Sequence, residues 1–494
     1  MKLSHLCFGS LVVLSAFYGC KTDPSSSGEN EAGQTGDNPD GGTSAEGGTG
    51  NQSHPSDGGA GGEAGADVGG SPGGNTGGAF DRGGEGGDAE TGGTLGDAGN
   101  PGLGEGGGAG EAGGGGTGTD TGPDGLIVTQ LAAGYGFTCA LTTAGGVKCW
   151  GENSYGTLGN GQLSGRTATA TDVVGLTSGV KGLWAGNWHV CALKTDNHLV
   201  CWGTNEYDQL AIDSTLAGSG TPVSLAGFAD FAKSAGFGER HSCLVDDLGA
   251  IQCWGSNAQG QLGVDSPTSS SNPVKTAGLA FGFKEVTAGT DHSCGLTTEG
   301  TVQCWGSNYY GQLGVLSPYE DAEGISSSVD PVDVEGLTDV AKLSGSGRQY
   351  TCVLTTAGGV KCWGVRNYGY LGGGEDHDVS SAPADVTGLV AGVKDVASGY
   401  MHSCAVLAAG GTVMCWGYNQ NGQLGNNPSH IEINESSLVP VAVVGLSGAT
   451  TVTVGNSHSC AAMARGGVKC WGSGWASGST MSTNQLLPLA IAGF

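Results

Sequence analysis

The tripeptide Cys-Trp-Gly occurs seven times, beginning at Cys149, Cys201, Cys253, Cys304, Cys362, Cys415 and Cys470, at intervals of 51 to 58 residues. Each copy has an earlier cysteine: Cys139, Cys191, Cys243, Cys294, Cys352, Cys404 and Cys460. Nine residues separate the two in six pairs, and ten separate Cys404 from Cys415. A glycine stands five residues before every first cysteine, from Gly134 to Gly455, and an aliphatic residue two before every second one, from Val147 to Val468. A period of about 50 residues kept seven times means one supersecondary unit stacked on copies of itself.

The first unit reads as a hairpin, with a strand over 138–142, a turn at Thr143-Ala144-Gly145-Gly146 and a return strand over 147–151. Folding about that turn sets Cys139 opposite Cys149, a spacing that suits a disulfide. Zinc is the weaker reading, because a structural site wants four ligands and its paired cysteines stand two to four residues apart. Seven pairs at one spacing therefore predict seven disulfides and an oxidising compartment.

Between hairpins lie Thr221-Pro222-Val223, Asn272-Pro273-Val274, Asp330-Pro331-Val332, Ala382-Pro383-Ala384 and Val439-Pro440-Val441, with Asp172-Val173-Val174 in the same role without the proline. Proline at a strand start suits an outer strand, which has no neighbour on one side. A further strand precedes each glycine, as at Val286-Thr287-Ala288. Each unit thus has four strands, and seven such units predict an all-β, seven-bladed β-propeller over 126–494. Repeat one begins without a Pro-Val strand and the sequence closes on Leu487-Pro488-Leu489-Ala490-Ile491-Ala492-Gly493-Phe494. This predicts that the C-terminal strand completes the first blade and closes the ring.

The run Gly-Thr-Asp-His-Ser-Cys-Gly-Leu-Thr-Thr (289–298), followed by Val302-Gln303-Cys304-Trp305-Gly306-Ser307-Asn308 and Gly311-Gln312-Leu313-Gly314, resembles the regulator of chromosome condensation repeat. The resemblance covers all seven units and implies a seven-bladed propeller. The last unit departs from it, with Ser473-Gly474-Trp475 replacing the Asn and the Gly-Gln-Leu-Gly. The cysteine pairs resemble a secreted bacterial branch of that family. Its eukaryotic nucleotide-exchange and chromatin activities are not expected of an exported, acidic chain, and propellers host many functions.

Composition divides the chain near Gly125. Residues 21–125 hold 40 glycines, 18 acidic and 2 basic side chains, and Phe80 as their one aromatic. Too little apolar surface is present to offset the entropy of ordering, so a disordered acidic linker is predicted. Its Gly115-to-Asp120 run matches the start of a calcium-binding nonapeptide, but occurs once where such sites need stacked copies. Residues 1–20 read as an export signal: Lys2, an apolar run from Leu6 to Tyr18, then Gly19-Cys20. That order resembles a bacterial lipoprotein signal, which implies lipidation of Cys20 and a place on the outer membrane, facing the periplasm or the cell surface.

With 46 acidic against 18 basic side chains, a net of −28, the chain is a poor match for nucleic acid. No apolar run approaches the ~20 residues that span a bilayer. No catalytic group stands out once the repeats are subtracted, and no cofactor or metal is expected. His189, His241, His292, His402 and His458, two before the first cysteine, read as packing residues, because Phe137 and Tyr350 take that place in the other units. Trp184, Trp188 and Trp475 break the repeat and are contact candidates.

Three variable loops carry the candidate binding residues: Tyr319, Glu320, Asp321 and Glu323; Glu375, Asp376 and Asp378; and Ile431, Glu432 and Glu435. They occupy one topological position in units four to six, so they are expected on one side of one face. The expectation is a monomeric, non-enzymatic protein-binding or scaffold module, held in the bacterial envelope by a lipid and meeting an envelope or extracellular protein with a basic surface. The alternative is an envelope carbohydrate-binding protein, or a hydrolase or lyase using the propeller mouth, for which two carboxylates converging there would be the sign.

Overall fold

Each hairpin forms where the sequence places it. In the computed structural model, β2 (Phe137–Thr142) and β3 (Val147–Glu152) pair antiparallel with Cys139 directly opposite Cys149. The structure describes residues 126–225, 232–318, 324–344, 347–375, 379–426, 436–480 and 483–494. The linker and the signal predicted for residues 1–125 lie outside them. All seven cysteine pairs are disulfides with Cα–Cα distances of 4.1 Å. The extra residue between Cys404 and Cys415 is taken up in the turn, where Gly410 and Gly411 both adopt positive φ, and the two cysteines still face each other.

Around each hairpin two further strands complete a blade. In the first, β1 (Val128–Ala133) lies inside and β4 (Arg166–Asp172) outside, giving the order β1-β2-β3-β4. The remaining strands, numbered to β28 in chain order, repeat this arrangement, so the described residues form seven four-stranded antiparallel sheets, a seven-bladed propeller. The second strands are buried almost end to end because both their faces meet neighbouring blades. Seven tryptophans, from Trp150 to Trp471, are fully buried between blades; truncating such a ring costs about 3–5 kcal/mol.

Two expectations are corrected. The prolines do not start the outer strands. Pro273 lies inside the strand Ser269–Lys275, at a break where the pairing jumps from Cys253–Val274 to Gly255–Ser270. A bulge leaves residues outside the ladder, so a missing N–H is tolerated there. The Ser270 hydroxyl helps to form it by donating to the Asn272 carbonyl (2.7 Å), as Ser219, Ser328, Ser380 and Ser437 do in their blades. In unit one the outer strand is β4 itself, which ends at Asp172, so Val173 and Val174 come after it.

The second correction concerns closure. The C-terminal strand β28 (Gln485–Ala490) pairs with β27 (Val468–Gly472), inside blade seven, and blade one is complete without it. Register fixes its partner: the Pro-Val strand of every unit pairs with the Cys-Trp-Gly strand just before it. The ring is closed by the residues beyond β28. Ile491-Ala492-Gly493-Phe494 repeats the pattern of Val173-Val174-Gly175-Leu176. The Ala170 N–H donates to the Ala492 carbonyl (3.0 Å), and the buried Phe494 ring stands edge-on to Trp150 at 5.5 Å.

Candidate functional site

The connections between strands put different chemistry on the two ends of the ring. The β1–β2 and β3–β4 connections of every blade emerge on one end, called here the loop face. The hairpin turns and blade-to-blade connections emerge on the other, the turn face. Chain direction then sorts the cations. Lys148, Lys361 and Lys469 are second in third strands and Lys181, Lys284 and Lys394 second in first strands, all at the turn face. Arg166, Arg240, Arg348 and Arg366 stand at the loop face. Turn-face lysines are largely matched within the chain, as in Lys148–Asp172 (3.1 Å), Lys361–Asp385 (2.7 Å) and Lys394 Nζ on the Ala449 carbonyl (2.8 Å).

The loop face is aromatic. Its inner loops begin at the repeated glycine, which is required because a Cβ on Gly238 would lie 2.1 Å from the Gly289 carbonyl oxygen of the next blade. Tyr135, in the first of these loops, stacks on Trp188 in the second at 4.4 Å. Tyr155 meets Trp188 edge-on at 5.8 Å, and Tyr400 reaches Tyr135 at 6.3 Å across the small Asn456-Ser457 loop of blade seven. Further out, Tyr207, Tyr309 and Tyr368 are more than two-fifths exposed. Three arginines sit on aromatic faces: Arg348 over Tyr400 and Arg240 over Tyr207 at 5.0 Å, and Arg166 over Trp475 at 4.4 Å. Of the three tryptophans expected to make contacts, Trp188 is central to this surface. Trp184 instead packs partly buried beside the channel, and Trp475 of blade seven lies under the Arg166 guanidinium of blade one.

Of the ten acidic-loop candidates, Glu375 alone lies among the described residues. It is 68% exposed and ion-paired with Arg366 at 2.5 Å. Arg366 occupies the place where units one to four and six have Asn308 or its counterpart, whose amide oxygen ties down the loop by accepting the N–H of Leu313 (3.0 Å). Glu375 is therefore a latch for its own loop. Tyr319, Glu320, Asp321, Glu323, Asp376, Asp378, Ile431, Glu432 and Glu435 lie outside the described residues. The ends of their three connections, at Pro318, Gly324, Glu375, Val379, Asn426 and Ser436, belong to the loop face.

The histidines are joints between blades. His241 Nε2 lies 2.8 Å from Ser293 Oγ of the next blade, whose hydroxyl donates to the Gln261 carbonyl of the first (2.9 Å). The hydroxyl proton is thus committed, so Nε2 carries the ring proton and donates. His189–Ser242 (2.9 Å), His292–Thr351 (3.0 Å), His402–Ser459 (2.7 Å) and His458–Thr138 (2.8 Å) repeat the contact. Tyr350 makes it with its phenol to Ser403 (3.0 Å), and Phe137 faces Val190, where neither side offers a polar atom. Full burial drives the histidines far below the usual imidazole range, to about 3 for His189, His241 and His402 and about 4 for His292 and His458. They are neutral structural residues, as the sequence implied.

A central channel of about 530 Å³ runs between the inner strands. Gln130, Glu285, Lys342 and Thr451 line it at one level, and Asp395 is buried at the same level of its own strand. The two carboxylates are occupied: Glu285 accepts the Leu343 N–H (3.0 Å) and Asp395 the Val452 N–H (3.1 Å), as Gln130 accepts the Leu183 N–H (3.0 Å). Lys342 stands between the carboxylates and pairs with Asp395 (2.5 Å). Burial raises Glu285 to about 6, against the pull of the Leu343 N–H and of the neighbouring lysines. These groups fasten blade to blade. Among the described residues no cluster of three or more His, Cys, Asp or Glu is placed to hold a metal ion.

Twenty-eight strands in seven disulfide-pinned blades, with side-chain joints from blade to blade, define a repeat propeller whose variable chemistry lies on one end. The units are regulator of chromosome condensation (RCC1) repeats, matched over 128–157, 184–209, 283–312 and 393–423 by one profile and over 249–296, 357–406 and 410–462 by a second, and the chain belongs to that family. It is 30% identical over 348 residues to the mouse E3 ubiquitin-protein ligase HERC2, covering 68% of this chain but 7% of that protein. It is 28% identical to the Ultraviolet-B receptor UVR8 of Arabidopsis thaliana, over 70% of this chain and 77% of that one. The fold is also that of the solved structure of yeast RCC1 (Prp20) bound to Kap60, at 22% identity and a TM-score of 0.58, covering 67% and 78% of the two chains. Human WBSCR16 aligns at 20% identity and a TM-score of 0.52, covering 74% and 81%.

Proposed function

We propose that this chain is a non-enzymatic protein-binding module, held on a bacterial envelope by a lipid at Cys20 and meeting its partner through the loop face. The observation that carries the reading is the concentration of partly exposed tyrosine, tryptophan and arginine on that face, set on a rigid disulfide-pinned scaffold. These three residue types dominate binding hot spots, because they bury large areas at small entropic cost and keep a polar end. Relatives agree in kind: the Prp20 structures concern its complex with Kap60 and its binding to Gsp1p and histones. The described channel carboxylates, each engaged by a backbone N–H, give no support to the hydrolase alternative.

Affinity capture of envelope proteins on the oxidised full-length chain tests the reading. The expected result is a saturable protein partner that is lost with Y135A/W188A and kept with turn-face changes. Absence of any saturable protein ligand would overturn it. Anchoring is tested separately: C20A should abolish incorporation of an alkyne-tagged fatty acid and release the protein from the membrane fraction.

A further inference from the structure

We infer that the loop face holds, at the junction of blades one and two, a receptor for an arginine side chain of a basic polypeptide, built from Tyr135, Tyr155, Trp188 and Glu152. This deepens the protein-binding reading and rests on it.

Three rings meet there, with Trp188 between the stacked Tyr135 and the edge-on Tyr155. Tyr135 is 38% and Tyr155 44% exposed, so aromatic surface reaches solvent on both sides of the indole. Tyr155 is held in place by its backbone: it adopts φ 62°, a left-handed conformation costly for a tyrosine, inside a loop whose neighbour Gly156 packs on the Gly220 backbone of blade two. Glu152 ends β3, with its carboxylate about 3 Å from where a Cβ on Gly136, the residue after Tyr135, would stand. Its main chain is engaged through the Gly136 carbonyl and the Thr157 hydroxyl. Among the described residues its carboxylate has neither an ion-pair nor a hydrogen-bond partner.

The contrast with the rest of the face identifies the missing group. Arg240 lies over Tyr207 and beside Glu239 (3.4 Å), a guanidinium on an aromatic face with a carboxylate next to it. Arg348 lies over Tyr400, and Arg366 has Glu375. At the junction of blades one and two the rings and the carboxylate are present without a cation in contact: Arg166, opposite Glu152 in the ladder, is turned onto Trp475 instead. A guanidinium matches both parts, since it stacks flat on an aromatic ring and forks onto a carboxylate, whereas an ammonium does only the second well. The propeller's own balance, 28 acidic to 15 basic side chains over 126–494, attracts such a segment over distance.

The test uses octa-arginine carrying a diazirine, with octa-lysine of the same design for comparison, on the full-length oxidised protein at about 0.15 M salt. Because the acidic residues of 21–125 also attract such probes, the readouts are the cross-linked peptides and the difference between variants. Cross-links are expected in the peptides around Tyr135, Glu152-Tyr155 and Trp188. E152Q should weaken octa-arginine binding about tenfold and W188A at least as much. The turn-face control D333N should leave binding unchanged, and wild type should prefer octa-arginine over octa-lysine several-fold. Y155A, at an exposed position, keeps the test open should W188A unfold; thermal melts of each variant decide that. Equal loss from E152Q and D333N, no preference for arginine, or cross-links confined to other peptides would overturn the inference. A natural partner captured independently of Glu152 would overturn it too, while leaving the protein-binding reading intact.

Discussion

Acidification should unfold this propeller well above the pH at which its carboxylates titrate. The five inter-blade histidines are fully buried and stay neutral down to about pH 3 to 4, whereas in the unfolded chain each takes a proton near the ordinary 6.5. Below pH 6.5 the unfolded state therefore binds more protons, and stability present at neutral pH falls as pH drops toward the folded values. Each histidine contributes a slope approaching about 1.4 kcal/mol per pH unit. From pH 7 to pH 5 that is roughly 2 kcal/mol apiece, or about 9 kcal/mol for five. Glu285 opposes them: its folded value of about 6 lies above the ordinary 4.5. Its burial therefore costs less as pH falls, returning about 1 kcal/mol over the same range. The net loss of about 8 kcal/mol is comparable with the whole stability of an ordinary domain.

Guanidinium titrations of the oxidised protein at half-unit steps from pH 7.5 to 4.5 would give the slope. A second arm replaces one joint by the apolar pair that this chain already uses at Phe137 and Val190. H241F/S293V should lower the slope by about one proton between pH 6 and 5. A stability that stays flat from pH 7 to 5, or imidazole signals titrating near 6.5 in the folded protein, would refute the reasoning.

Other consequences are open to measurement. Phe494→Ala should cost about 3–5 kcal/mol in a denaturant titration, because the ring is buried on Trp150 and no preceding Gly-Gln-Leu-Gly loop is there to substitute. Tyr350→Phe leaves the Gly399 and His402 carbonyls and the Ser403 hydroxyl without their shared partner, and should cost about 1–3 kcal/mol in the same assay; Tyr350→His is expected to recover part of it. Replacing both Cys243 and Cys253 by alanine should cost about 2–5 kcal/mol, read as a lowered denaturation midpoint.

How much of this is legible in the sequence depends on whether a residue's partner lies within its own unit. The Cys139–Cys149 bridge needs only a hairpin, and the neutrality of the histidines can be inferred from the Phe and Tyr that replace them. The hydroxyl joints are legible in principle: the residue two before the cysteine in each unit is matched to the residue one before it in the next, His with Ser or Thr, Phe137 with Val190. Seeing that requires knowing which strand faces which across a blade seam. Closure is misread because a unit boundary drawn at the Pro-Val strand makes the last strand look like an orphan, and register alone decides its partner. The loop-face aromatics are largely hidden. Tyr135, Tyr155 and Tyr400 come from two different kinds of loop in two different blades, and no linear spacing joins them.

In many rings the first blade is stitched from both chain termini. Here blade one and blade seven meet through side-chain packing and single backbone bonds: the Phe494 ring on Trp150, the His458–Thr138 joint, Arg166 over Trp475, the Ala170–Ala492 hydrogen bond, and the Leu126 carbonyl that accepts the Gly467 N–H (3.1 Å). No backbone ladder enforces the number seven; the wedge angle between neighbouring blades does. A gene that duplicates one 50-residue unit in frame would therefore break no strand pairing, and a chain recut at any blade-to-blade connection would keep every sheet whole. Such a molecule can change its circumference by whole blades, and can move its chain ends around the rim, without inventing a new fold.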